Sequence, residues 1–395
     1  MLDFEFYAPT RILFGRNALE ALPRQVEKTG AKNILIASYG DAGTKKPVDD
    51  VKAILEKNGI AYKEFSGIKP NPLLSKVFEG VELCKKEGID FIIAIGGGSV
   101  IDTAKAMAAG AKLKEGEDLW QDYYVPKKRF TDGIPLGVVL TIPAAGSEAS
   151  FGSAIKHDEL CTKRYTGGEP SYPKFAILNP EYTTTLPPHH TAAGVFDIFA
   201  HLAERYFVNF PNVDFSDRML EAGIRTVLNN APILVEDPQN YDARAEIMWT
   251  GCVAHNRILE AGRTHGDFAS HDISHEVEAH YNMSHGSVLA IIMPAWMKYV
   301  YKHNKEKFLQ FAVRVFDVDI AFDRADSAIE EMIARVERFA HVMGLPTRLS
   351  DVGVDESQFE MLADRAMVGR EFVGTGNGII LLGKKEIIDV YKLAL

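Results

Sequence analysis

The sequence contains few cysteines, and none of them forms a paired motif. Among its 395 residues only Cys84, Cys161 and Cys252 are cysteines, and no two of them make a Cys-x-x-Cys pair. Three widely spaced cysteines cannot build an even disulfide framework. The cysteine content therefore favours a reducing compartment.

The sequence also lacks an excess of positive charge and a long uninterrupted apolar run. Its 44 Lys+Arg are outnumbered by 54 Asp+Glu, which gives a formal net charge of −10 and argues against nucleic acid or an anionic membrane as the main partner. The most apolar stretch, residues 287–300, contains Pro294 and Lys298 and is too short to cross a bilayer. The first residues are partly acidic, whereas a signal peptide needs a basic start. We expect a cytoplasmic protein without nucleic-acid or membrane partners.

The first half of the sequence alternates short apolar runs with helical patterns. Strands are predicted at residues 34–37, 61–65, 91–95 and 136–140, and helices at residues 48–58, 75–86 and 99–111. Strands and helices that alternate in this way form βαβ units, so we expect a parallel sheet that is covered on both faces. The first half is therefore predicted to be an α/β, Rossmann-like domain.

The pattern changes after Pro187 and Pro188, where long segments with a 3.6-residue period begin. These segments are residues 189–207, 215–229, 242–261, 286–302, 305–316, 326–343 and 356–368. A chain of this length is expected to form two domains. We predict a dinucleotide-binding α/β domain over residues 1–187 and an all-helical metal-binding and substrate domain over residues 188–395.

A glycine run suited to binding phosphate follows the third predicted strand. Gly96, Gly97, Gly98 and Ser99 connect this strand to a helix, where small residues and unpaired N–H groups favour a pyrophosphate. Ser99 is expected to be the N-cap of that helix. The run does not complete the Gly-x-Gly-x-x-Gly pattern, because Ile101 occupies the third glycine position. A tight strand-to-helix turn without a ligand is the alternative interpretation.

Two more loops of small residues also follow predicted strands. One extends from Ser38 to Thr44 and contains Gly40, Asp41 and Gly43, and the other extends from Thr141 to Glu148. Loops at the carboxyl ends of parallel strands line the ligand crevice of a doubly wound sheet. Three such loops together favour a nucleotide-binding site.

Two pairs of polar residues are spaced four apart on predicted helices. Asp197 and His201 lie in an apolar segment, and His271 and His275 precede His285 by fourteen and ten residues. Residues four apart project from one helix face, and a buried carboxylate is costly unless a cation or hydrogen-bond donors compensate it. One carboxylate with several imidazoles suits Fe²⁺ or Zn²⁺. An Asp–His hydrogen bond with a cluster of surface histidines is the alternative interpretation.

These features together resemble the iron-containing, or group III, alcohol dehydrogenases, whose fold is similar to that of dehydroquinate synthase. The similarity runs nearly end to end and is greatest to the branch of NAD(P)H-dependent butanol dehydrogenases and broad-range aldehyde reductases. The motifs that carry it are Pro-Thr-Arg-Ile-Leu-Phe-Gly at residues 9–15, Lys-Pro-Asn-Pro at 69–72, Gly-Gly-Gly-Ser-Val-Ile-Asp at 96–102, Thr-Leu-Pro-Pro at 185–188, Asp197 with His201, and His271-Asp-Ile-Ser-His-Glu followed by His285-Gly286.

The resemblance implies a role for each residue of the predicted sites. It implies that the metal ligands are Asp197, His201, His271 and His285. It implies that His275 lies beside the nicotinamide and is not a ligand. The cofactor-binding residues that it implies or leaves as candidates are Gly40, Asp41, Gly43, Gly96, Gly97, Gly98, Ser99, Asp102, Thr141, Ser147 and Lys163. Among these, Asp102 is expected to face the cofactor crevice and Lys163 to approach the nicotinamide ribose. The resemblance also implies a homodimer or larger homo-oligomer.

The sequence departs from the family pattern at two cofactor positions. Ala145 replaces a residue that usually carries a hydroxyl group, which removes one potential hydrogen bond to the cofactor. Asp41 lies in the loop expected near the adenosine ribose, where a carboxylate accepts from a 2′-hydroxyl and repels a 2′-phosphate. Lys45 and Lys46 nearby can offset that repulsion. The loop therefore favours NAD(H) over NADP(H).

The expected reaction is the reversible oxidation of a primary alcohol to an aldehyde, with hydride transfer to NAD(P)⁺ and with His275 relaying a proton. A glycerol or polyol dehydrogenase of the same fold is the main alternative. A lyase of the dehydroquinate synthase type is disfavoured because the site helices carry aromatic residues, namely Phe196, Phe199, Phe268 and Tyr281. A non-catalytic metal-binding protein is the third alternative.

Overall fold

The computed structural model describes residues 1–320, 324–376 and 378–395. These residues divide into two compact units. The sheet unit comprises Tyr7–Pro187 and Gln239–Asn256, and the helical unit comprises Met1–Phe6, Pro188–Pro238 and Arg257–Leu395.

The sheet unit is built around six parallel strands. In chain order the eight strands of this unit, six in the main sheet and two outside it, are β1 (Arg11–Phe14), β2 (Ile34–Ser38), β3 (Tyr62–Phe65), β4 (Phe91–Gly96), β5 (Leu136–Leu140), β6 (Gly152–His157), β7 (Thr162–Gly167) and β8 (Phe175–Leu178). The main sheet has the order β1-β8-β5-β4-β2-β3, and all its neighbours are parallel. Strands β6 and β7 form a separate antiparallel pair.

The α-helices were largely expected from the sequence pattern. In chain order they are α1 (Leu22–Thr29), α2 (Lys45–Lys57), α3 (Leu74–Glu87), α4 (Gly98–Gly110), α5 (Pro188–Tyr206), α6 (Asp214–Glu236), α7 (Tyr241–His255), α8 (Ala269–Tyr281), α9 (His285–Val300), α10 (Lys305–Phe316), α11 (Ala325–Val342), α12 (Phe359–Ala366) and α13 (Lys384–Leu393). Helices α1–α4 and α7 belong to the sheet unit and the others to the helical unit.

Both faces of the main sheet are covered, because successive strand residues point to opposite sides. In β4, Ile92 and Ala94 join one buried apolar cluster, while Phe91, Ile93 and Ile95 join another. The continuous apolar runs of the parallel strands are explained by this double burial. The predicted fold class, a parallel α/β domain with a helical second domain, is confirmed.

Helix α9 forms the centre of the helical unit. It packs against α5, α8, α11 and α13, and nearly all its side chains are buried. The apolar run that includes Pro294 is therefore a buried core helix. None of the helices in the described part of the chain is long and apolar enough to cross a membrane.

The two compact units differ in two segments from the predicted domains, residues 1–187 and 188–395. These domain ranges stay a prediction. Helix α7 packs within the sheet unit, and the backbone N–H of Leu2 donates to the carbonyl of Gly262 at 2.9 Å within the helical unit. The helix expected over residues 242–261 ends at His255, because Arg257 adopts a left-handed conformation with φ 73°. A left-handed residue cannot continue a right-handed helix.

Candidate metal centre and cofactor loops

Helix α5 places a carboxylate and an imidazole side by side in the interior of the helical unit. Asp197 and His201 lie four residues apart and are both buried, with their side chains 4% and 6% exposed. The flanking residues of α5 are apolar and buried, as the sequence pattern predicts. The helix therefore brings these two polar side chains away from solvent.

Helices α8 and α9 bring two more imidazoles to the same carboxylate oxygen. The Oδ1 atom of Asp197 lies 3.5 Å from Nδ1 of His201, 3.6 Å from Nε2 of His271 and 3.6 Å from Nε2 of His285. His271 lies in the first turn of α8, and His285 is the first residue of α9. The structure thus brings together all four residues that were predicted as metal ligands.

The distances from Asp197 to the three imidazoles are those of ligands that share one metal ion. Tetrahedral ligands about 2.0–2.2 Å from zinc are about 3.3–3.6 Å from one another, which matches the three distances to Asp197. Hydrogen bonds are shorter than this, at about 2.7–3.2 Å. Among the residues that the structure describes, the buried atoms Oδ1 of Asp197 and Nε2 of His271 have no hydrogen-bond partner. The donor set fits Fe²⁺ or Zn²⁺.

Two glutamates that were missed in the sequence lie behind the imidazoles. Glu204 is fully buried, and its carboxylate contacts Nδ1 of His271. Glu278 is also buried, and its Oε2 atom lies 3.0 Å from Nδ1 of His285. Burial lowers the pKa of His271, but Glu204 and Asp197 raise it more strongly, to about 9. The negative charge around this ring suits a cation.

The remaining residues of the histidine segment lie outside this group of four. The ring of His275 lies 5.2 Å from the ring of His285 and 6.5 Å from that of His271. His280 is exposed, and its Nδ1 atom lies 3.3 Å from a guanidinium nitrogen of Arg365. His275 is therefore the neighbour of the candidate metal ligands, and His280 is not.

The aromatic residues expected near the site have two different environments. Phe196 and Phe199 are fully buried and pack on Phe339. Phe268 is partly exposed, and its ring lies 5.5 Å from that of His271 and 6.5 Å from that of His201.

The glycine run connects β4 to α4 as predicted, with a shift at the helix start. Helix α4 begins at Gly98, so Gly97 is its N-cap, and the expectation of a Ser99 N-cap is wrong. A Cβ atom on Gly97 would lie 2.9 Å from Cβ of Ile142, which is too close for any larger residue. The hydroxyl of Tyr39, which the sequence did not indicate, is hydrogen-bonded to Ser99 and to the backbone of Gly97, and burial raises its pKa to about 12.

The loop after β5 places a buried hydroxyl beside the glycine run. The backbone N–H of Thr141 donates to the carbonyl of Gly96 at 3.0 Å. The side-chain oxygen of Thr141 is buried and has no hydrogen-bond partner within the described residues. A buried hydroxyl without a partner is costly, so this atom suits a bound ligand.

Asp102 and Ser147 are hydrogen-bonded within the sheet unit. Asp102 accepts from the hydroxyl of Ser147 at 2.6 Å and from the backbone N–H of Ala154 at 2.8 Å. Burial raises the pKa of Asp102, while nearby Lys105 and Lys163 oppose this shift. The contact with Ala154 joins α4 to β6, and the contact with Ser147 joins α4 to the loop after β5. Their direct contact with a cofactor, and that of Lys163, stay predictions.

The loop after β2 uses Asp41 to start α2. Oδ1 of Asp41 accepts from the backbone N–H of Thr44 at 2.9 Å and from its hydroxyl at 2.8 Å. Gly40 has φ 76°, a left-handed conformation that favours glycine, and Gly43 is exposed beside it. The loop is formed as a turn with the Asp41 side chain at its start.

The helical unit contains the buried group of Asp197, His201, His271 and His285, and the sheet unit contains the glycine loop that follows a parallel strand. The family model "Iron-containing alcohol dehydrogenase" matches residues 9–180, and its C-terminal counterpart "Fe-containing alcohol dehydrogenase family, C-terminal" matches residues 191–395. The chain belongs to the iron-containing alcohol dehydrogenase family, as the sequence motifs predicted.

Several named relatives cover nearly the whole chain. The probable NADH-dependent butanol dehydrogenase 1 of Bacillus subtilis is 39% identical over 100% of both chains. The NADPH-dependent aldehyde reductase of Escherichia coli is 35% identical over 92% of both. The crystal structure of NADH-dependent butanol dehydrogenase A from Thermotoga maritima has a TM-score of 0.94 and 34% identity, and it covers 100% of this chain and 99% of its own.

Proposed function

We propose that this chain interconverts primary alcohols and aldehydes by hydride transfer with NAD(P)(H), and that Asp197, His201, His271 and His285 hold the divalent metal required. Family membership and the names of the relatives support this reaction class. The observation that carries the metal assignment is the convergence of three ring nitrogens on one buried carboxylate oxygen.

Each part of the proposed site has a distinct task. When bound, the metal would supply Lewis-acid chemistry at the substrate oxygen, and the nicotinamide would donate a hydride to an aldehyde or accept one from an alcohol. The protein's own groups orient these partners and exchange the proton of the substrate oxygen with solvent. His275 is the residue proposed for this proton, because imidazole gains and loses a proton near neutral pH and the ring is partly exposed beside His285.

The proposed reaction is tested by following NADH and NADPH oxidation with butanal and a series of longer and shorter aldehydes. The protein is purified anaerobically and loaded with either Fe²⁺ or Zn²⁺. We expect aldehyde-dependent oxidation that stops when a chelator removes the metal. Glycerol oxidation without aldehyde reduction would instead assign a polyol dehydrogenase. No turnover with either substrate would contradict the proposal.

The substitution His275→Ala is expected to reduce kcat by about 100-fold or more while leaving the metal content unchanged, since general acid–base groups contribute about 10²–10⁴-fold. The measurement is steady-state turnover together with elemental analysis of the same sample. His280→Ala, one turn further along α8 and paired with Arg365, is the matched control and should retain normal turnover. Loss of metal from the His275 variant would make it a ligand and contradict the proposed role.

We also propose that the loop after β2 favours NAD(H). Lys45 and Lys46 were candidates to offset the charge of Asp41, but they pair with Asp49 at 2.5 Å and with Asp50 at 2.6 Å along α2. These exposed pairs leave the carboxylate of Asp41 as the charge at the start of the helix. A carboxylate in that position disfavours the 2′-phosphate of NADP(H).

The substitution Asp41→Asn is expected to raise kcat/KM for NADPH by about tenfold relative to NADH, since charge repulsion near a protein surface amounts to about 1–4 kcal/mol. Asparagine retains an oxygen that can accept from Thr44, so the turn should be preserved. Glu56→Gln is the control, because it removes an exposed acid near the far end of α2 that pairs with neither Lys45 nor Lys46. Equal effects of the two substitutions would refute a specific role for Asp41. A homodimer or larger assembly stays a prediction that solution sizing would test.

A further inference from the structure

We infer that Glu204 and Glu278 are positioning residues that set the orientation and tautomer of two metal-binding imidazoles, His271 and His285. The inference rests on the metal site proposed above and extends it to residues that are not ligands. It derives from the fact that each glutamate contacts the ring nitrogen that points away from Asp197.

The two imidazoles have the same arrangement. In His271, Nε2 lies 3.6 Å from Oδ1 of Asp197, and Nδ1 contacts Glu204. In His285, Nε2 lies 3.6 Å from the same oxygen, and Nδ1 lies 3.0 Å from Oε2 of Glu278. Each ring is therefore held between the candidate metal position and a buried carboxylate.

This arrangement selects one tautomer of each ring. An ionised carboxylate only accepts hydrogen bonds, so Nδ1 must carry the proton, and the lone pair of the neutral ring then lies on Nε2. Nε2 is the atom that faces Asp197 in both cases. A carboxylate on the outer nitrogen also makes the ring a stronger metal ligand.

The contact with Glu278 also explains a second group of ligand-type atoms. His275, Glu278 and His285 offer atoms within 4.8 Å of one another, which could suggest another metal site. A metal bound through Nδ1 of His285 would need the lone pair of that atom, whereas the hydrogen bond to Glu278 places a proton on it, and Nε2 of His285 faces Asp197 instead. We therefore assign Glu278 to orienting His285.

Glu204 also contacts the start of α8, and the test must separate this structural role from the orientation of His271. Its Oε1 atom accepts from the hydroxyl of Ser270 at 2.5 Å and from the backbone N–H of His271 at 3.2 Å. These donors belong to the first turn of α8, whose N–H groups lack partners inside the helix. A purely structural role would alter the stability of α8 without altering the affinity for metal.

The test is the Zn²⁺ dissociation constant of the full chain, measured by competition with a chelator, for Glu204→Gln and Glu278→Gln. Circular dichroism and the Tm of the metal-free proteins establish that each variant is folded. Ser270→Ala is the control for the helix start, because it removes a donor to Glu204 without touching the ring. Glu221→Gln is the control for a buried carboxylate, since Glu221 contacts Tyr206, Arg218 and Arg314.

Glu204→Gln and Glu278→Gln are each expected to weaken Zn²⁺ binding by about 10–100-fold, the effect typical of outer partners of metal-binding histidines. The two controls should change the dissociation constant by less than about threefold, even where their Tm falls. If Glu204→Gln does not fold, the Zn²⁺ affinity of Glu278→Gln decides whether the inference holds.

Wild-type Zn²⁺ affinity in the folded glutamate variants would overturn the inference while leaving the metal site intact. His271→Ala tests the metal site separately from the role of the glutamates, because it should abolish Zn²⁺ binding whether or not the glutamates matter. If His271→Ala binds Zn²⁺ as tightly as the wild type, the proposed metal site is wrong, and the inference fails with it.

Discussion

His271→Ala protein is expected to emerge from anaerobic purification without its metal ion and with aldehyde turnover reduced by about 1,000-fold or more. The ring nitrogen Nε2 of His271 lies 3.6 Å from Asp197 in the buried centre, and alanine supplies no replacement. Loss of a ligand costs more than the 10–100-fold that loss of an outer partner costs. Lewis-acid stabilisation of several kcal/mol corresponds to a rate change of about this size.

The measurement is elemental analysis of the purified variant, together with its Tm with and without added Fe²⁺ or Zn²⁺. Metal that binds only the folded protein stabilises it, by about 2.7 kcal/mol at a concentration 100 times the dissociation constant. The wild type should therefore gain thermal stability on metal addition and the variant should not. His303→Ala, an exposed histidine outside the centre, is the matched control and should behave as the wild type. Full metal occupancy in the His271 variant would contradict the ligand assignment.

Gly286→Ala is expected to destabilise the helical unit by about 3 kcal/mol or more and to weaken metal binding at the same time. A Cβ atom on Gly286 would overlap the backbone carbonyl of Ala193 in α5, so the clash is with main chain that cannot rotate away. Inserting atoms into a packed interface costs about 1–3 kcal/mol, and more where the backbone must move. Gly286 directly follows His285, so separating α9 from α5 also separates His285 from Asp197.

The prediction for Gly286 is checked by chemical denaturation and by Zn²⁺ affinity of the folded fraction. Gly376→Ala is the control, because a Cβ atom at Gly376 meets nothing within 4 Å. It should be close to neutral in both measurements. A Gly286→Ala protein with unchanged stability and unchanged Zn²⁺ affinity would show that the approach of α5 and α9 is not required for the centre.

Four of the six strands in the main sheet, and the placement of Asp197 and His201 on one helix face, could be predicted because they depend on local pattern. The predicted strand at residues 136–140 is matched by β5, and the helix predicted at residues 305–316 is matched by α10. The i, i+4 pair of Asp197 and His201 already specifies one helix face. The assignment of His271 and His285 to the same metal ion as this pair came from the family resemblance, because no local pattern indicates it.

The parts that could not be predicted depend on contacts between distant segments. The hairpin of β6 and β7 is only partly buried and carries mixed polar residues, so it lacks the apolar run of the main sheet. Glu204 follows His201 by three residues in α5, but its contact with His271 requires the packing of α8. Phe196 and Phe199 face the core because Phe339 of α11 covers them, which no spacing in α5 indicates.

We propose that the turnover of aldehydes has one essential requirement, a divalent metal ion held by Asp197, His201, His271 and His285. Its most direct test is a titration of metal-free, anaerobic protein with Fe²⁺ and, separately, Zn²⁺, in which butanal-dependent NADH oxidation is measured at each step. We predict that activity with at least one of the two metals rises with bound metal and saturates at one ion per chain. Full aldehyde reduction by the metal-free protein would contradict the requirement for metal. The ligand assignment would be contradicted if the activity of His271→Ala saturated with metal as that of the wild type does.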